Sequence, residues 1–441
     1  MTTSETFASI DSLISACYPA DEPGAAVIIA RGGQVVFRKG YGLANLEWNI
    51  PIQPDTVFKV GSVTKQFTAV SVLMLVQEGK LGLQDRIEKF LPDYPTHGHS
   101  ITLEHLLTHT SGIKSYTSLP EWNANWGKDY TVAEMIETFK FKPMDFAPGT
   151  RWSYNNSAFF LLGAIIEKAS GLSYNDFLQQ RIFNPLDMRQ SYTNPGLRLL
   201  PKRAAGYTHG PDGYQNAPYL SMTQPGGAGV IASTVDDLVR WNCALDTGEL
   251  VSAELLQRAW TPYTLADGAA MRYGYGWGIE KLGDRQWIGH GGGIHGFQCY
   301  VTRIPSENLF VALLSNSDSG KRATIDLVYE CVMASLGEPL PPFQPIDLPA
   351  GAAEKLSGVY ENQNGEEFHL IAREGALVLR FPAYNFEMKM VALDSCTFCT
   401  SDNHSMRLRF QTGEQGQVTG FEMTNMFGTV DEQARKTDRL V

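Results

Sequence analysis

One segment limits the fold more than any other. Residues 63–78 carry Val63, Phe67, Val70 and Met74 at positions i, i+4, i+7 and i+11, with Ala69, Val72, Leu73 and Val76 filling most of the remaining circumference. A helix that is apolar nearly all round belongs inside a protein. Gly79 follows as a C-terminal stop. The chain must therefore wrap a substantial structure around this helix, and 441 residues are enough to do so without covalent staples. Inside this apolar helix stands Lys65, and three residues before it Ser62. Three residues is nearly one helical turn, so the two side chains share a face. A cation here is costly unless it is partnered, and a lysine whose pKa falls on burial can accept a hydroxyl proton. Ser62 at the helix start also lies beside unpaired backbone N–H groups and the positive end of the helix dipole.

Two further clusters carry chemistry. Tyr154-Asn155-Asn156 follows the turn Pro148-Gly149-Thr150 and precedes an apolar helix starting near Ser157. A tyrosine beside a cation is a candidate proton acceptor. Asn156 offers both a donor and an acceptor to a substrate amide and to Lys65. Taken alone, the cluster fits an Asn-rich helix cap with a packing tyrosine better than a catalytic site. His290-Gly291-Gly292-Gly293 follows Gln286-Trp287-Ile288. Glycines in a strand mark close backbone approach, and a glycine-lined edge can supply one of the two N–H donors that a developing oxyanion needs, with the Ser62 N–H as the other.

Other candidates are weaker. His105 and His109 have metal-binding i, i+4 spacing, but Leu106 stands where zinc proteases place a glutamate. His97 and His99 lie in a loop with no acid cluster nearby. Cys396 and Cys399 form a lone C-x-x-C in strand-like flanks, and the six cysteines are scattered, unlike a disulfide framework. No metal and no cofactor is expected. Neither a G-x-S-x-G elbow nor a phosphate-binding glycine loop occurs. The aromatic residues Tyr116, Trp122, Trp126 and Tyr130 are expected to line an acyl pocket.

Net charge is −11, with no dense basic cluster, which argues against a nucleic-acid partner. No apolar run is long enough to span a bilayer. The N-terminal residues lack a basic segment followed by an apolar one. The expectations are a cytoplasmic protein, no membrane partner, a small-molecule ester, amide or peptide substrate, and a possible homo-oligomer.

Strand patterns at 25–31 and 34–38, joined by Gly32-Gly33, return only at 271–280, 285–289, 297–303 and 309–315, with helices expected at 5–17, 102–108, 132–140, 157–169, 235–245 and 322–336. One sheet built from both chain ends around a helical middle follows. Pro339, Pro341, Pro342, Pro345 and Pro349 mark a stiff linker. Beyond it, short alternating runs such as 369–372, 376–381, 406–410 and 418–423 predict a small antiparallel β-domain. The expected division is 1–340, a linker at 341–350, and 351–441.

Ser62-x-x-Lys65, Tyr154-x-Asn156 and His290-x-Gly292, in that order, resemble the serine β-lactamase and penicillin-binding-protein superfamily. The likeness is strongest to its class C-like branch of DD-peptidases, D-aminopeptidases and family VIII esterases. The stretch Ile101-Thr102-Leu103-Glu104-His105-Leu106-Leu107-Thr108-His109-Thr110-Ser111-Gly112, Pro148-Gly149, and Gly289 to Phe297 share the likeness, which covers 8–336. The resemblance implies an α+β fold: an antiparallel sheet flanked by helices, an all-helical lobe, and the active site between them. The tail from 345 resembles the lipocalin-like barrel that follows some such hydrolases. It further implies Ser62 as nucleophile, Lys65 and Tyr154 sharing general-base duty, Asn156 and Gly292 supporting substrate, and an oxyanion hole from the N–H groups of Ser62 and Gly293. His290 would replace the lysine of a Lys-Thr-Gly motif. A histidine is only partly charged near neutral pH, which favours an esterase or D-residue peptidase over a β-lactamase or DD-carboxypeptidase. A scaffold or assembly protein with secondary catalysis is the alternative of another class.

Overall fold

The computed structural model describes residues 3–193, 199–340, 344–363, 365–382, 386–400 and 406–439. The chain divides into two compact units, Met1–Gly320 and Lys321–Val441. The Pro-rich stretch and the helix preceding it both fall in the second unit, and residues 341–343 of that stretch lie outside the described residues.

The first unit begins with α1 (Thr3–Cys17), then the hairpin β1 (Ala25–Arg31) and β2 (Gln34–Tyr41). The helical middle holds α2 (Thr64–Gln77), α3 (Leu103–Leu107), α4 (Asn156–Ser170) and α5 (Val235–Thr247). Four strands follow: β3 (Gly278–Leu282), β4 (Arg285–Ile294), β5 (Phe297–Ile304) and β6 (Leu309–Ser315). They form one six-stranded sheet in the order β2-β1-β6-β5-β4-β3, every pairing antiparallel. The two chain ends meet where Ala25 opposes Ser315 and Arg31 opposes Leu309. The sequence Ala-Ala-Val-Ile-Ile-Ala of β1 is buried throughout, as is all of β6, because both faces of the central strands are covered. Edge strand β2 is largely exposed and carries Phe37 stacked on Phe7 of α1, ring centroids 5.7 Å apart.

Helix α2 is buried from Thr64 to Leu75, which satisfies its all-round apolar pattern. Phe67 stacks on Trp241 of α5 at 4.0 Å and meets Phe183 edge-on at 5.9 Å. The strand expected from 271 starts later, at Gly278. Residues 271–277 instead bond to the chain before them, Met271 N–H donating to Tyr263 O at 2.7 Å and Tyr275 N–H to Ala259 O, at the end of the helix Ala253–Ala259, at 3.0 Å.

The second unit opens with α6 (Thr324–Ser335) and the short α7 (Ala352–Leu356). Eight strands follow: β7 (Gly358–Asn362), β8 (Glu367–Arg373), β9 (Ala376–Phe381), β10 (Phe386–Ala392), β11 (Thr397–Thr400), β12 (Arg407–Thr412), β13 (Val418–Thr424) and β14 (Val430–Lys436). They close into an antiparallel barrel through the pairing of β7 with β14. Alternation sends Phe368, Leu370, Leu377 and Leu379 inward, and Tyr360, Phe398, Phe410 and Phe421 join them. Tyr360 and Phe421 are 5.2 Å apart and Phe398 and Phe410 5.5 Å, so side chains fill this interior. Ile346 N–H donates to Ala392 O at 2.9 Å, so the end of the Pro-rich stretch is tied to the barrel. Cys399 is buried on β11 and Cys396 half-buried in the turn before it, where the Asp394 carboxylate accepts from the Cys396 N–H at 2.8 Å.

Candidate active site

Ser62 lies in a 3-10 turn, Gly61–Val63, that leads into α2. One turn into the helix, the Lys65 side chain is fully buried. Its Nζ has three neutral oxygens around it: Ala228 O at 2.9 Å, Asn156 Oδ1 at 2.8 Å and Ser62 Oγ at 3.1 Å. Burial without a carboxylate among these contacts holds the Lys65 pKa well below its ordinary value.

Tyr154 and Asn156 enter from the start of α4. Asn155 is the helix cap, its Oδ1 accepting from Ala158 N–H at 2.9 Å. That leaves Asn156 to turn its oxygen to Lys65 while its Nδ2 donates to Thr117 Oγ1 at 3.1 Å. Of the adjacent asparagines, Asn155 is the helix cap and Asn156 faces Lys65. The Tyr154 ring centroid lies 4.7 Å from Lys65 Nζ. Tyr154 is 37% exposed as a residue, and burial at its hydroxyl pushes the phenol above its usual range.

The glycine edge of β4 comes close to the Ser62 turn. A Cβ on Gly292 would lie 2.0 Å from Val60 O, and one on Gly61 2.9 Å from Gly293 O. Neither position can hold a larger residue without moving the strand away from Ser62. Gly293, by contrast, is exposed, with nothing within 4 Å of where a Cβ would stand. The backbone of the strand edge and that of the Ser62 turn thus lie side by side.

His290 is buried, and burial together with the Lys65 charge lowers its pKa to about 4. It is neutral at physiological pH. Its Nδ1 contacts Gly291 O at 2.6 Å and its Nε2 contacts Tyr273 OH at 2.9 Å. Tyr273 in turn contacts His109 Nε2 at 3.2 Å. His109 is fully buried, so the structure uses it in a hydrogen-bonded chain. Its i−4 neighbour His105 is occupied differently, its Nδ1 accepting from Thr102 N–H at 3.2 Å in the capping box of α3. Tyr273, Thr117 and the carbonyl of Ala228 did not stand out in the sequence, and His109 did so only as half of a metal-spaced pair. The structure buries the whole polar run Thr108, His109, Thr110 and Ser111.

Tyr116, Trp122 and Tyr130 line a cavity of about 260 Å³ with Leu119 and Met135. Trp126 does not; its ring meets His295 at 4.3 Å. Gln224 pins this loop, accepting from Trp122 Nε1–H at 2.9 Å and donating to Asn125 O at 2.8 Å.

This fold and this constellation define a serine hydrolase. The Beta-lactamase family model matches residues 11–330, and the chain belongs to that family. It is 29% identical over 347 residues to penicillin-binding protein 4* of Bacillus subtilis, covering 75% of this chain and 74% of that one. It is also 29% identical to a D-aminopeptidase of Gluconobacter oxydans, over 81% of this chain and 67% of the other. Among solved structures, the octameric penicillin-binding protein homologue from Pyrococcus abyssi superposes with a TM-score of 0.70 at 26% identity, over 99% of this chain and 100% of that one. Among the described residues no helix is long and apolar enough to cross a membrane.

Proposed function

We propose that this enzyme hydrolyses amide bonds of D-residue peptides or amino acid amides through an acyl-Ser62 intermediate. The bond type and configuration are drawn from the D-aminopeptidase relative. The observation that carries the mechanism is the set of partners at Lys65 Nζ. Two of its three neighbours are carbonyl oxygens, which only accept, so a neutral amine directs both its protons there. The lone pair then faces Ser62 Oγ, 3.1 Å away.

In this reading Lys65 takes the Ser62 proton as Oγ attacks the substrate carbonyl carbon. The resulting oxyanion is held by the N–H groups of Ser62 and Gly293. As the C–N bond breaks, Tyr154 gives its phenolic proton to the leaving amine and is reprotonated from the Lys65 ammonium. A phenol pushed above its usual range suits this relay better than a standing phenolate does. Water then attacks the acyl-enzyme, with the proton path reversed. Asn156 is held by Lys65 and Thr117 where it can meet a substrate amide. A neutral His290 offers no cation to a substrate carboxylate, which favours amides and aminopeptidase substrates over β-lactams and carboxypeptidase substrates. A homo-oligomer belongs to the same proposal, resting on the octamer of the Pyrococcus abyssi relative.

Mass spectrometry tests the proposal. A fluorophosphonate should add one adduct per chain, absent in Ser62→Ala, and a D-amino acid amide should protect against it. Native spectra of the same sample should show an assembly larger than one chain. A folded wild-type protein that takes no adduct would sink the catalytic reading, and a monomer would remove the oligomer.

A further inference from the structure

A hydrogen-bonded chain runs behind the catalytic groups, and both of its ends are backbone atoms. At one end the Asn155 N–H lies 3.0 Å from His109 Nδ1. At the other the Gly291 carbonyl lies 2.6 Å from His290 Nδ1. An amide N–H can only donate and a carbonyl can only accept. His109 Nδ1 is therefore an acceptor and His290 Nδ1 carries a proton. A neutral imidazole has one N–H, so His109 donates through Nε2 to the Tyr273 oxygen at 3.2 Å. The Tyr273 O–H is then the donor to His290 Nε2 at 2.9 Å. Every donor meets one acceptor, no proton is left over, and the chain has no net charge. Burial keeps both rings neutral.

We propose that Tyr273 and His109 are positioning residues that lock His290 in its Nδ1–H tautomer and tie the Tyr154-Asn156 turn to the glycine edge of β4. Asn155 N belongs to the peptide that joins Tyr154 to Asn155, so His109 holds the backbone between the proton-relay tyrosine and the lysine's partner. A second tie, Ser153 N–H to His109 O at 3.0 Å, holds the preceding residue. The His109 ring also lies against the Tyr154 ring, centroids 4.4 Å apart. At the far end, His290 bonds to its own strand, two residues before Gly292. The chain leaves neither His290 nitrogen to a substrate, so His290 acts as an uncharged prop for the strand edge. This goes beyond the acyl-Ser62 reading and depends on it only for the kinetic arm of the test.

The test is ¹⁵N NMR of the full chain labelled at histidine, near pH 7, with the two signals assigned by their loss in His109→Gln and His290→Gln. The wild type should show His109 as the Nε2–H tautomer and His290 as the Nδ1–H tautomer. Tyr273→Phe keeps the ring and removes the hydroxyl. It should move His290 toward the Nε2–H form and lower kcat/KM for an amide substrate about tenfold, the scale of one lost hydrogen bond. A purely structural loss would leave the tautomers unmoved. An Nε2–H signal for His290 in the wild type, or unchanged tautomers in Tyr273→Phe, overturns the proposal. Failure of Ser62 to take a fluorophosphonate would instead count against the acyl-enzyme reading, and the tautomers would still decide this one.

Discussion

At Lys65, burial favours the neutral form of a side chain that is ordinarily charged. In water an ammonium is the stable form; enclosed by α2, α4 and the Ala228 segment, with only neutral oxygens around it, the charged form is the costly one. The sign for activity follows. The amine must be neutral to accept the Ser62 proton, so acylation should rise with pH through the Lys65 pKa and then level off. Because that pKa is depressed, the plateau should be reached below the ordinary lysine value of about 10.4. A pH profile of fluorophosphonate labelling checks this, and a limb centred at the ordinary value would rule out Lys65 as the base.

At the level of elements, the site is a meeting of three ends: the start of α2, the start of α4 and the outer part of β4. Helix starts suit this work because their side chains project from the first turn beside unpaired N–H groups. The strand contributes backbone, and it does so because Gly292 lets it come within contact of Val60. Gly292→Ala would place a Cβ 2.0 Å from Val60 O, so the edge must move away and carry Gly293 with it. Labelling of Ser62 should fall on the order of a hundredfold, as when an oxyanion donor is lost. Far-UV circular dichroism should stay as in the wild type. Wild-type labelling in this variant would show that the oxyanion is held elsewhere.

At the scale of the whole molecule, every residue of the site lies within Met1–Gly320, while the barrel belongs to Lys321–Val441. The barrel interior is packed with aromatic rings and holds together through them. Phe421, fully buried among Tyr360, Phe368 and Phe410, is the sensitive point. Phe421→Ala should cost about 3–5 kcal/mol of barrel stability, read as a lowered transition in calorimetry, with Ser62 labelling at 25 °C unchanged. Labelling that falls in step with the barrel would give that unit a part in catalysis.

What was legible in the sequence is what short-range geometry dictates. Ser62 and Lys65 share a face because three residues make nearly a helical turn. The buried helix announced itself by its apolar circumference, and the barrel strands by alternation. The sheet of two chain ends followed from where the strand patterns stop and resume. Sequence alone could not choose between Lys65 and Tyr154 as the base, because that depends on which oxygens surround the amine. One of those is the backbone carbonyl of Ala228, and a backbone oxygen leaves no mark on residue identity. His109 looked like half of an improbable metal pair, and Tyr273 like part of a strand. The fold brings them together across 164 positions. Their roles come from backbone groups that can only donate or only accept, and packing alone decides which of those groups each ring meets.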